Sequence, residues 1–117
     1  MKANELRIGN LIGCDIQTLI VKAVNDETVI CHTMGGKPYT LYFEDVYGLK
    51  LTEEWLVKFG FVYKSYGYGD SEWKQWWFNG YFINGFRCAT SNIEIKSVNQ
   101  LQNLYFALTG EELTLQQ

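Results

Sequence analysis

The sequence predicts an α+β protein: a small N-terminal antiparallel β unit, then a helix, a β-meander and a final helix. Three observations carry this. Residues up to 50 fall into short apolar runs separated by turn residues, the pattern of closely connected strands. At Thr52 the apolar spacing changes from alternation to helical periodicity. "SVNQLQNLYFALTG", beginning at Ser97, reads as a helix with a start, a face and a stop. The chain of 117 residues suffices for one domain or two tightly joined subdomains, here divided as 1–50 and 51–117.

In chain order, "RIGNLIGC" opens the first strand and "QTLIVKAV" follows, with Leu19, Val21 and Ala23 on one face. Asn25-Asp26-Glu27 is a turn, because Asn and Asp tolerate turn backbones. "TVICHTM" returns, "GGKP" turns again, and "YTLYFEDVYGLKL" gives a fourth strand with an irregular end. Short strands with tight turns predict a sheet that curls on itself, and the glycine-bearing opening strand is similar to those of SH3-like barrels. That likeness concerns fold alone.

"LTEEWLVKFG" predicts a short helix. Thr52 is its N-cap, Glu53 and Glu54 suit the positive end of the dipole, and Gly60 is the left-handed stop. Trp55, Leu56 and Phe59 form its apolar side. The stretch from residue 61 to 96 reads as a meander, with Asn79-Gly80 the strongest hairpin signal, Asn84-Gly85 a second candidate and "NIEIK" the closing strand. In the last helix Ser97 and Gln100 form a capping box, Val98, Leu101, Leu104, Tyr105 and Leu108 form an apolar stripe, and Gly110 is the stop.

Composition excludes several function classes. At 47% hydrophobic and 16% aromatic the chain builds a core and is not disordered. The net charge is −3; residues 1–50 hold five basic and six acidic side chains, and residues 51–117 five and seven. Neither half is a basic module, so useful binding to duplex DNA is not expected. The opening "MKANELRIGN" lacks the apolar segment of a signal peptide, and no apolar run approaches the ~20 residues of a membrane span, which predicts a cytoplasmic protein without membrane contact.

No cofactor, metal site or catalytic set is expected. Cys14, Cys31 and Cys88 are odd in number and widely spaced, and read as small buried hydrophobes. His32 is the single histidine and adjoins Cys31; on a strand the two point to opposite faces and cannot share an ion. The acidic doublets Glu44-Asp45, Glu53-Glu54 and Glu111-Glu112 splay apart and read as solvated surface. "GYGD" and "MGG" have no phosphate-loop spacing.

Three stretches, "NELRIGNLI", "LTEEWLVKFGF" and "VNQLQNLYFALTGEEL", together resemble a family of small uncharacterised proteins carried by prophages and conjugative elements of gut anaerobes. The resemblance covers about a third of the chain. It implies a cytosolic accessory protein acting on a host or element-encoded macromolecule. It carries no functional residue.

Two surfaces remain. On a strand over residues 73–78, Trp76 and Phe78 share one face and Trp73 and Trp77 the other; one set is core. The final helix carries no charge from Ser97 to Gly110, and Asn99, Gln102, Asn103 and Phe106 lie off its stripe. Amides desolvate more cheaply than charges, so this face packs on something, either the N-terminal sheet or another chain. Phe106 is expected to be buried by a contact from outside its own layer. The partner-binding residues expected are therefore Trp73, Trp77, Tyr81, Phe106, Asn99, Gln102 and Asn103, on a non-enzymatic protein that engages a protein partner or itself. The alternative is a nucleic-acid binder stacking bases on exposed Trp residues.

Overall fold

A computed structural model describes residues 1–15, 17–66, 73–78, 81–84, 87–88 and 94–115; the side chains of 66, 73, 74, 81, 82, 84, 87 and 88 lie outside the described residues. The fold is α+β, with two four-stranded antiparallel sheets. The chain divides into two units: Met1–Lys50 with Ser97–Glu112, and Leu51–Lys96 with Leu113–Gln117. The final helix differs from expectation, because it belongs with the first unit, and the reason lies in its amide face.

In the first unit, β1 (Leu11–Cys14), β2 (Gln17–Val24), β3 (Thr28–Thr33) and β4 (Pro38–Tyr42) form a meander in the order β1-β2-β3-β4. Alternation sets the register: Leu19, Val21, Val29 and Cys31 face inward and join Leu6, Ile12 and Val46 in one apolar cluster. A register shift between Val21 and Ala23 in β2 interrupts the alternation, and Ala23 is only half-buried. Asp15 takes a left-handed φ of 39° at the turn into β2. After β4 a 3₁₀ turn (Phe43–Asp45) reverses the chain, and Tyr47 returns to β1, exchanging both backbone bonds with Gly13 at 2.9 Å.

Glycine at 13 permits this approach. A methyl there would sit 2.6 Å from Tyr47 Cε2 and 2.9 Å from Leu49 Cδ2. Gly13→Ala should therefore lower stability by about 1–3 kcal/mol through overpacking. Thermal melts check this, and part of the loss should return in the Gly13→Ala/Tyr47→Ala double variant.

The second unit opens with α1 (Glu53–Lys58). Thr52 accepts from the Trp55 N–H at 3.4 Å, and Gly60 takes a φ of 93° after the last turn. Leu56 and Phe59 are buried. The sheet follows as β5 (Val62–Tyr66), β6 (Trp73–Phe78), β7 (Tyr81–Asn84) and β8 (Arg87–Cys88), in that order. Phe78 pairs with Tyr81 and Asn84 with Arg87, so pairing continues on both sides of each expected Asn-Gly turn; Gly80 and Gly85 lie outside the described residues. In the expected closing strand Glu94 forms an isolated bridge, and residues 92 and 93 lie outside the described residues.

The first unit is completed by α2 (Val98–Thr109). Ser97 caps it by accepting from the Gln100 N–H at 3.3 Å, and Gly110 ends it at φ 75°. The buried side is Val98, Asn99, Leu101, Gln102 and Tyr105. The expected stripe is thus corrected at its end: Leu108 is 45% exposed and takes no part in the core.

Candidate functional site

In the first unit, Asn99, Gln102 and Asn103 occupy positions i, i+3 and i+4 of α2 and so line one face. That face lies on residues 5–11. The Gln102 amide donates from Nε2 to the Gly9 carbonyl at 3.2 Å and accepts the Leu11 N–H at 2.8 Å. Asn99 and Asn103 both donate to the Glu5 carbonyl, at 3.2 and 3.1 Å. Asn10, fully buried, donates from Nδ2 to Asn103 Oδ1 at 2.8 Å, and its Oδ1 accepts the Arg7 N–H at 2.7 Å. Arg7 then donates to Asn103 Oδ1 at 2.9 Å and pairs with Glu112. Both members of that ion pair are partly exposed, so it is worth no more than about 1 kcal/mol.

Of the two covers expected for this face, the N-terminal sheet or another chain, the chain's own N-terminal segment is the one present. Asn99 and Gln102 are 4% and 2% exposed and are committed to the chain's own N-terminal segment. Phe106 does meet a group from outside its helix, the Arg7 guanidinium 3.9 Å above its ring, but it is 39% exposed and not buried. An arginine plane covers one face of a ring and leaves the other in water. Phe106→Ala should therefore cost about 1–2 kcal/mol, short of the 3–5 for a fully buried Phe, as read from the urea midpoint.

One buried atom of the seam, Asn99 Oδ1, has no hydrogen-bond partner. It lies against Gly48, where a methyl would approach it to 3.0 Å. Beside it Glu5, Ser97, Asn99, Gln100 and Asn103 line a half-open hollow of about 250 Å³.

The second surface belongs to the second unit. Trp76 and its cross-strand neighbour Ile83 are buried, which makes theirs the core face of β6. The opposite face carries Val62, 58% exposed, paired across the strands with half-buried Trp77. Lys64 holds its ammonium 5.1 Å from the Trp77 ring, and Trp77 Nε1 donates to Gln75 Oε1 at 3.1 Å. Trp73 takes a position on the Trp77 face, but its side chain lies outside the described residues. Tyr81 pairs with Phe78, a register position that alternates with that of Trp77; its side chain is likewise not described. The register therefore does not bring Tyr81 together with Trp73 and Trp77.

Thiol chemistry is subdued. Cys31 is buried in the first sheet and Cys14 packs half-buried beside the same cluster. Burial pushes both thiols up, with Asp15 adding to the effect at Cys14 and Cys14 adding to it at Cys31. A raised folded-state pKa means that stability is full below the unfolded thiol pKa, about 8.5, and is lost as pH rises through the folded value. The urea midpoint should fall between pH 8 and 10, with a weaker fall in Cys31→Ala. Alkylation followed by peptide mass spectrometry should find Cys14 modified before Cys31 in the folded protein. His32, on the neighbouring position of β3, is half-buried, and among the described residues no three of His, Cys, Asp and Glu are grouped as metal ligands.

Among the described residues no helix is long and apolar enough to cross a membrane. No family model, no curated protein and no solved structure matches the chain.

Proposed function

We propose that this chain is a non-enzymatic, cytoplasmic accessory protein of a prophage or conjugative element, and that it binds another protein through the aromatic face of its second sheet. The observation that carries the reading is the exposed Val62 beside Trp77 and Lys64, on the side of β5 and β6 opposite buried Trp76. Trp is the residue most enriched at binding hot spots, and an apolar neighbour with one flexible cation makes the patch suited to a protein surface. A base-stacking groove requires a track of cations; on this face the register places only two cationic residues, Lys64 and Arg87, among the described positions, the side chain of Arg87 lying outside the described residues. The mobile-element origin rests on the resemblance of the two ends and centre of the chain. For the first unit we propose an SH3-like topology, supported by the 3₁₀ turn after β4 and the return of Tyr47 to β1.

The test compares wild type with Val62→Glu and Trp77→Ser by cross-linking in host cytosol and mass spectrometry. One protein captured by wild type and lost from both variants, with far-UV CD and melting unchanged, supports the reading. Capture unaffected by either substitution rejects this face. Micromolar binding of single-stranded oligonucleotide that is lost in Trp77→Ser moves the protein to the nucleic-acid class.

A further inference from the structure

We propose that the aromatic face of the second sheet takes an acidic segment of its partner, with apolar side chains of that segment along Val62 and Trp77 and its carboxylates beside Lys64. This partner chemistry rests on the protein-binding reading of the face. Strand register sets the face out in rows. Val62, Trp77 and Phe82 hold one row across β5, β6 and β7. Lys64, Gln75, Asn84 and Arg87 hold the next, two residues along each strand, and cross all four strands. Phe82, Asn84 and Arg87 enter by register position alone. At ~3.3 Å per residue the rows run about 7 Å apart. The first row is apolar. The second has a cationic residue at each end and two amides between them, and neither row contains an acid. The whole chain is acidic, at −3, so the sign of this face is opposite to that of the chain.

Lys64 is exposed, and among the described residues its ammonium is in no ion pair. It sits over the Trp77 ring, 5.1 Å from the centroid. That contact holds the charge beside the apolar row, and an ammonium over a ring still has N–H groups for a carboxylate. A base stacking on that side of Trp77 would displace Lys64; a carboxylate meets it where it stands. Spacing separates the two anions further. With strands ~4.8 Å apart, the Lys64 and Arg87 positions stand about 14 Å from each other, with uncharged Gln75 and Asn84 between. A nucleic-acid backbone carries a phosphate at every nucleotide and would cross that gap unpaired. The acids of a peptide need fall only where the cations are. Two cations beside an apolar row also repel a basic partner, so the face selects by sign as well as by shape.

The test selects peptides from a random phage-displayed library on the full chain. Peptides that lose binding in Val62→Ser, a neutral change at an exposed position, mark the face. Those peptides should be enriched in Asp and Glu beside apolar residues, weaken as salt is raised, and bind Lys64→Glu at least about tenfold less tightly. Replacing their acids by Lys should restore binding to Lys64→Glu, a rescue that a misfolded variant would not show. Face-dependent peptides without acid enrichment, bound equally by Lys64→Glu, overturn the acidic partner and leave the aromatic face standing. Failure to recover a peptide that depends on Val62 rejects the face, and the acidic partner with it. Displacement of the selected peptides by an equal concentration of single-stranded oligothymidylate assigns the face to nucleic acid and likewise overturns the proposal.

Discussion

Phe59→Ala should remove about 3–5 kcal/mol of stability, the usual range for a buried Phe. Phe59 is fully buried at the C-terminal end of α1, its ring centroid 6.1 Å from that of Trp55. The six-residue helix has too few turns to persist on its own propensity. Packing of Leu56 and Phe59 holds it, since these are its fully buried apolar groups. Truncation to Ala loses the transfer free energy of the ring and leaves a cavity in surroundings of similar density. Val57, 60% exposed on the same helix, supplies the control: Val57→Ala should stay within about 0.5 kcal/mol of wild type. Urea unfolding measures both. Equal effects at the two positions would show that burial does not decide the matter here.

The helix ends were legible in the sequence because capping is local. Thr52 and Ser97 accept from amides three residues on, and Gly60 and Gly110 take the positive φ that ends a helix. The first three strands and their turns were legible for the same reason: alternation and turn chemistry act over a few residues. Long-range choices were not. The uncharged face of α2 signalled that something covers it, yet its partners, residues 5–11, lie more than ninety positions earlier, and no local pattern couples the two. Hence the sequence places the last helix with the meander that precedes it, and leaves its amides to either the N-terminal sheet or another chain. The apolar type of Phe106 predicts burial, but the group above it is Arg7, and the residue stays 39% exposed. The sequence pattern does not single out Arg7, Asn10 and Glu112 as seam residues. The one available signal was that Asn10 follows a glycine at the start of a strand, a position where a buried amide needs partners from elsewhere.

Asn10→Ala should be the most damaging substitution in that seam, at about 2–4 kcal/mol. Asn10 is fully buried and polar, so its value depends on complete satisfaction. Its Oδ1 is the acceptor of the Arg7 N–H, and its Nδ2 donates to Asn103 at 2.8 Å and to Gln102 at 3.4 Å. Removing it leaves the Arg7 N–H without that acceptor, a penalty of about 1–3 kcal/mol, and opens a small void between β1 and α2. Asn103 loses less, because Arg7 still donates to its Oδ1. Asn103→Ala alone should therefore cost about 1 kcal/mol. The double variant should be less destabilised than the sum, with a coupling of about 0.5–3 kcal/mol, since both changes delete the same bond. Strict additivity in urea unfolding would mean that the two amides do not act together, and would remove Asn10 as the hub through which the N-terminal segment holds the last helix.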